Sequence, residues 1–377
     1  MKKIHRIILF LILLVFTLFS SIMSFESFAQ EKELEFLSLE QAQKEAIENS
    51  SVLKEDMRNL KSLEDDYSQI RRQEKRVKNY MDKDDYDASL EDYKYKSGDK
   101  TKEVDMRIKS SKIKLKKDEE QIKLDVLLAY QNVLLKQKEL EIEKENIEYQ
   151  KNLLDIKKVK NRLGKISLNE FEKAENDYNN LVLNLNTTKQ ELENSYIKLN
   201  LLRGVYLEER PILSEDTINT FSLDIVLNQE EAFKKALESR HDILSLKDNI
   251  EFSKMDIENI SIKYPSNTYK YKEKERALND AKEKYEDKKN EIKKEIESAY
   301  SELLLSKLKN DNIKASLDMM KKDLEKKNIF YNYGRISKIE LENSKIEILK
   351  KELEYISNTF EYERLLKKYI LSYTFGD

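Results

Sequence analysis

"NRLGKIS" at residues 161–167 and "YNYGRIS" at residues 331–337 are the two stretches in which the sequence states how it folds. The chain holds five glycines and two prolines in 377 residues, so each glycine is a rare interruption among good helix formers. Gly164, then Ser167, then Glu170 reads as one helix ending in a left-handed cap and the next starting from a serine cap. The second stretch repeats the element, with Gly334, Ile336 and Ser337 answering Gly164, Ile166 and Ser167, and Arg335 keeping the charge of Lys165.

Outward from the first turn, Val126, Val133, Leu140, Ile147 and Leu154 recur every seven residues in a stretch from Asp105 to Asn161 free of Gly and Pro. This is a heptad seam, and at about 1.5 Å per residue the helix would be on the order of 85 Å long. Past the turn, Phe171, Tyr178, Leu185, Leu192 and Leu199 form a second seam that ends near Gly204. Two long helices joined by a few residues return antiparallel, so residues 105–204 read as a long helical hairpin. Shifted by 170, the same positions hold Ile296, Leu303, Asn310, Leu317 and Leu324, then Leu341, Ile348, Tyr355, Tyr362 and Tyr369. Asn310 is the one polar residue in the repeated seam, placed either to set register or simply to tolerate water.

Upstream the halves match at an offset of 190, where "QAQKEAIENS" (41–50) aligns with "EAFKKALESR" (231–240), Ala42 with Ala232 and Ala46 with Ala236. The first half therefore carries about 20 extra residues, visible as the polar stretch 71–105 against the shorter 260–276. A membrane-crossing strand needs roughly 9–11 residues with one apolar row. Tyr86, Tyr93 and Tyr95 lie in this stretch, but Asp, Lys and Glu occupy both alternating faces, so a polar helical extension with a loop is expected instead. The expected organisation is an export segment over 1–29, a first helical-hairpin repeat over 30–204, a linker over 205–228 and a second repeat over 229–373.

Composition agrees with long solvated helices: 38% of residues are charged and 39% hydrophobic. Lys and Arg (70) nearly cancel Asp and Glu (73), interspersed in sign, so no field is expected to attract nucleic acid or an anionic membrane surface. Residues 1–29 begin with Lys2, Lys3 and Arg6, continue through an apolar run from Ile7 to Phe19 and end in Ser27-Phe28-Ala29. That is the layout of a secretory signal peptide, with an uncleaved anchor extending through Met23 as the alternative. With no cysteine, stability must come from helix packing.

A duplicated pair of long hairpins, each opened by an "LSLEQAQKEAIENS"-like helix start and turned by Gly-x-Ile-Ser, resembles the TolC-type outer-membrane efflux protein family. The resemblance extends from about Leu37 to Tyr373 and rests on "LSLEQAQKEAIENSSVLK", "RLGKISLNEFEKAENDY" and "YGRISKIELENSKIE" in that order. It implies an all-α chain of antiparallel coiled-coil hairpins that assembles as a homotrimer into a hollow α-barrel, here with the β-barrel strands absent or vestigial. It also implies an efflux or export conduit, with Gly164, Lys165, Ile166, Ser167, Gly334, Arg335, Ile336 and Ser337 exposed at one end to dock an adaptor protein of an inner-membrane pump. By position from Gly334 it makes Glu340 and Asn343 the candidates for a closed aperture, where three Glu340 carboxylates about a threefold axis would repel anions and bind cations. The outer membrane is the location implied, or the cell surface in an envelope without one. The rival reading is a structural or adhesive coiled-coil protein of the cell envelope that forms no channel.

Catalytic chemistry has no foothold. His5 lies in the export segment and His241 is the only other histidine, which excludes a two-histidine metal site; its setting suggests a surface or capping role. No two nearby glycines cradle a phosphate. No enzyme activity, cofactor or metal is therefore expected, and the abundant carboxylates read as salt-bridge partners on exposed helix faces.

Overall fold

The computed structural model describes residues 36–82, 88–215 and 228–376. The expected export segment, Tyr86 and half of the expected linker lie outside the described residues.

The described chain is almost wholly helical. Strand β1 (Phe36–Leu37) leads into α1 (Leu39–Asn49), α2 (Ser51–Met81), α3 (Leu90–Ser97), α4 (Asp99–Arg162) and α5 (Leu168–Arg203). Strand β2 (Ile212–Leu213) precedes α6 (Gln229–Ser239), α7 (His241–Ser261), α8 (Tyr269–Asn332) and α9 (Lys338–Thr374). The first long helix starts earlier than the seam alone indicates, because the polar residues from Asp99 onward follow the left-handed Gly98 and propagate as helix. Helices α4 and α8 are each 64 residues, or about 96 Å of continuous helix.

The twenty extra residues of the first half divide equally. Helix α2 has 31 residues where α7 has 21, and the connection 82–98 replaces the seven-residue connection 262–268. The polar stretch at 71–105 is thus mainly helix, as its lack of alternation indicates, and among the described residues only β1 and β2 are strands. They pair in parallel, Phe36 with Ile212 and Leu37 with Leu213. Tyr130 fixes the pair from α4, its hydroxyl donating toward the Leu37 and Ser214 carbonyls at 2.8 and 2.9 Å.

Each repeat has its own core with the same plan. In the first, Ala42 and Ala46 of α1 sit against Val126, Ala129, Tyr130 and Val133 of α4 and Leu199 of α5. In the second, Ala232 and Ala236 of α6 sit against Ile296, Ala299 and Leu303 of α8 and Tyr369 of α9. Alanine one turn apart lets the short helix approach the long one closely, and each fully buried Val, Leu or Ile contributes about 1.5–3 kcal/mol. Helix α9 joins the two cores, since Phe360 enters the first while Tyr362, Leu365, Tyr369 and Tyr373 fill the second. Asn310 is half-buried and accepts a 3.4 Å hydrogen bond from Thr359 of α9, so the polar break in the seam has a partner.

A buried arginine closes each repeat, supplied from different elements. Arg203, at the end of α5, donates to Glu45 of α1 at 2.7 Å. Arg240, between α6 and α7, donates to Asp242 and Glu295 and, at 2.7 Å, to the Ser372 carbonyl near the end of α9. The glycines after the return helices pack tightly on these junctions: a Cβ at Gly204 would lie 2.7 Å from Asn49 Cβ, and one at Gly376 2.5 Å from Arg240 Nη2.

Candidate functional site

The two turns at the ends of α4 and α8 are the same structure built twice. The Lys165 N–H bonds the Lys160 carbonyl at 2.9 Å and the Gly164 N–H bonds the Asn161 carbonyl at 2.8 Å. At the second turn Arg335 bonds Phe330 and Gly334 bonds Tyr331, both at 2.8 Å. This is the Schellman closure, which needs a left-handed residue, and Gly164 and Gly334 have φ of 67° and 68°. No atom lies within 4 Å of a Cβ built on either, so conformation alone demands glycine there. Ser167 and Ser337 then accept hydrogen bonds from the Glu170 and Glu340 N–H groups, each at 3.2 Å, and start α5 and α9.

Both turns lie at one end of the molecule. Gln131 of α4 donates a hydrogen bond to Glu363 of α9, Ile142 shares a groove of about 460 Å³ with Leu353 and Ile356, and Tyr149 lies beside Glu342 and Glu347. Burial first and those carboxylates second raise the Tyr149 phenol above its ordinary pKa. Falling positions on α9 against rising positions on α4 mean antiparallel packing, which carries the start of α9 to the end of α4.

The exposure of the turn residues differs in part from the sequence expectation. Gly164, Lys165, Ser167, Gly334, Arg335 and Ser337 are exposed, whereas Ile166 and Ile336 are half-buried. The apolar surface there comes instead from Val159, Leu163 (63% exposed) and Leu168 at the first turn and Ile329, Phe330 and Tyr333 (76% exposed) at the second. Their signal in the sequence is an apolar residue outside the heptad register, as Val159 and Ile329 are relative to Leu154 and Leu324. The lysines and arginines at 157–165 surround this surface, and Arg335 lies over the Phe330 ring at 6.0 Å.

Glu340 is exposed in the first turn of α9, where a carboxylate favours the helix N-terminus, and Glu170 holds the equivalent place on α5. Asn343 donates to Glu347 at 2.9 Å, which brings a carboxylate beside it. The surface or capping role expected of His241 is not found. His241 is the first residue of α7, half-buried, and its Nε2 shares a hydrogen bond with Ser110 of α4; burial lowers its pKa. The capping position belongs to Arg240. Among the described residues no group of three or more His, Cys, Asp or Glu is placed to hold a metal ion, and no helix is long and apolar enough to cross a membrane.

Laterally the helices form a layer in the order α5, α4, α9, α8, with α5 packed on α4, α4 on α9 and α9 on α8. No extended packing joins α5 to α8. The two outer helices of the layer carry exposed apolar side chains: Leu183 and Leu201 on α5, and Leu304, Leu305, Leu308 and Met319 on α8, from 45% to 68% exposed.

No protein family and no curated protein matches the sequence. Solved structures do match the fold. A membrane protein from Pseudomonas aeruginosa aligns with a TM-score of 0.64 at 12% identity, over 89% of this chain and 92% of its own. The outer membrane protein VceC from Vibrio cholerae aligns with a TM-score of 0.61 at 11% identity, over 90% and 96%. The MtrE outer membrane channel of Neisseria gonorrhoeae, in its open state, aligns with a TM-score of 0.57 at 11% identity, over 90% and 89%. The chain thus has the all-α hairpin fold that its resemblance to TolC-type efflux proteins implies.

Proposed function

We propose that this chain is a component of an efflux or export conduit, exported to the cell envelope, in which copies assemble side by side into a helical tube. The observation that carries the proposal is the open layer α5–α4–α9–α8, whose two unlike outer helices both bear exposed apolar side chains. An edge that meets a different edge of the next copy is a heterologous contact, and such contacts generate a ring when the rotation closes. The likeness to outer membrane channels supports a closed tube, and a trimer, as the resemblance to TolC-type proteins implies, is its simplest form.

At one rim of such a tube the paired turns form the docking surface for an adaptor protein of an inner-membrane pump, through Lys165, Arg335 and the apolar residues around Ile166 and Ile336. Glu340 and Asn343 follow the second turn, so this is also the end at which the passage narrows. At the other rim, each place where the family inserts a strand hairpin is occupied differently: 262–268 is seven residues long, too short for two membrane-crossing strands of about 9–11 residues each, and 82–98 contains α3. The tube accordingly has no membrane pore of its own in these segments. Transport through a lumen involves no reaction and no cofactor.

The test is assembly. Chemical cross-linking and end-on electron-microscope images of the purified chain should show rings with a central hole. Replacing Leu304, Leu305 and Leu308 of α8 by Gln should disperse them to monomers of unchanged helicity. A wild-type chain that stays monomeric at micromolar concentration, or rods without a hole, would refute the conduit and favour a structural coiled coil. Ile166→Asp with Ile336→Asp should separately abolish capture of an adaptor while leaving the rings intact.

A further inference from the structure

The duplication that relates α4 to α8 and α5 to α9 also relates their faces. Within the chain α4 meets α9 in an antiparallel register in which Gln131 bonds Glu363, Leu134 shares a core with Phe360, and Ile142 lines a groove with Leu353 and Ile356. The positions 170 residues away on the outer helices have no such cover. Leu134 is 4% exposed and its counterpart Leu304 45%. Gln131, Ile142 and Phe360 are buried, whereas their counterparts Ser301, Asn312 and Gln190 are exposed. Within one chain no extended packing joins α5 to α8.

The distribution of charge shows how far those faces extend. In a chain that is 38% charged, Asn176, Asn179, Leu183, Asn186 and Gln190 recur every three or four residues along α5, all exposed. At about 100° per residue they lie on the side of the helix away from Leu192 and Leu199, which pack toward α4. On α8 an exposed stripe of Ser301, Leu304, Leu308, Asn312, Ala315 and Met319 is likewise uncharged, with Asp311 at its border. It lies on the side away from the buried Ile313 and Leu317. Laid in the register of α4 on α9, the two stripes coincide. Leu304 falls opposite Gln190, Leu308 opposite Asn186 and Asn312 opposite Leu183, and Met319 comes beside Asn176. The stripes are defined by their lack of charge and the register by the repeat, so their agreement joins two independent observations.

We infer that a second copy docks its α5 on α8 in this register, burying Leu183, Asn186 and Gln190 against Leu304, Leu308 and Asn312, and that copies separate and exchange along this seam. The inference rests on the side-by-side assembly proposed above. Amides bond one another across a seam without introducing charge. Asn186 and Gln190 nevertheless stand where α9 carries Ile356 and Phe360, and Asn312 where α4 carries Ile142. Leu308, in place of Lys138, restores only part of that apolar surface. The seam between copies is therefore held less tightly than the seam inside each chain, and its polar residues fix register at a cost in stability.

The chain has no cysteine, so introduced pairs report the contact cleanly. Under mild oxidation L304C/Q190C should give a ladder of disulfide-linked multimers. Each single variant can give dimers at most, and L304C/L183C, shifted along α5 by two turns, should give no ladder. Strength is read from subunit exchange between donor-labelled and acceptor-labelled pools. N186I/Q190F places on α5 the side chains that α9 carries, and should slow exchange on the order of tenfold or more. N184I/E191F, the same side chains off the stripe, should not. Multimers in which the shifted pair cross-links in place of L304C/Q190C, or a graft that exchanges as fast as the wild type, would overturn the inference and leave the tube standing. A wild type that stays monomeric, with no ladder from any pair, overturns the tube and the inference with it. Should the graft aggregate, N312I, which copies Ile142 onto α8, is measured in its place, and unchanged exchange refutes.

Discussion

Glutamine in place of Glu363 should stabilise the protein in mildly alkaline solution and change it little in acid. Glu363 lies on α9 where that helix crosses from one core to the other, 5% exposed, with Gln131 of α4 donating to its carboxylate. Burial lifts its pKa from 4.5 to about 7, only partly offset by Gln131 and by Lys367 one turn away. The folded state therefore holds a proton that the unfolded state releases. The stability linked to that proton is fully present below about pH 4.5 and is lost as pH rises through about 7. A gap of some 2.5 units corresponds to about 3 kcal/mol, because one unit is about 1.4 kcal/mol. Glu363→Gln keeps the shape and the hydrogen bond to Gln131 but has no charge to bury, so it should recover about that amount at about pH 8. Urea unfolding followed by circular dichroism, wild type against variant at about pH 4.5 and pH 8, isolates this group because every other carboxylate is common to both. Equal midpoints at the higher pH, or a gain confined to the lower, would refute the reasoning.

Two further substitutions probe the turns and junctions. Gly164→Ala or Gly334→Ala should destabilise its turn by about 1–2 kcal/mol through the left-handed backbone alone, seen as faster hydrogen exchange at 159–170 or 329–340 with little change in the melting temperature. Arg240→Met should lower the melting temperature strongly, since it takes the buried guanidinium away from Asp242, Glu295 and the Ser372 carbonyl together, and breaking a buried ion pair costs about 3 kcal/mol or more. Burial would raise the Asp242 carboxyl, and Arg240, with the Ile243 N–H and Lys288, holds it low instead, so the same variant should raise the pKa of this carboxyl as read by NMR titration.

The hairpins were legible because their signals are local and repeated: a glycine rare enough to stand out, a serine cap three residues on and apolar residues every seven. Three features escaped this reading for a common reason, namely that they depend on which helix lies beside which. The pairing of β1 with β2 joins segments more than 170 residues apart through Tyr130, which looks in sequence like one more core aromatic. His241 has a helix-start setting in sequence, but its partner Ser110 comes from the other repeat. In sequence Ile166 and Ile336 read as the turns' exposed apolar residues, whereas closing the hairpin half-buries both and leaves Leu163 and Tyr333 outside. Glu340 had a legible explanation that needs no aperture, because Glu170 occupies the same place after the first turn.

The twenty residues that distinguish the repeats all lie at one end, leaving α4 and α8 the same length and their turns alike. Duplication has therefore left a molecule with two kinds of end. A ligand that recognises a turn is offered two nearly equivalent sites per chain, and losing one by mutation leaves the other in place. A ligand that recognises the α2 extension is offered one, and has no second copy to fall back on. Binding stoichiometry alone, two per chain or one, would thus reveal which end a newly found partner occupies.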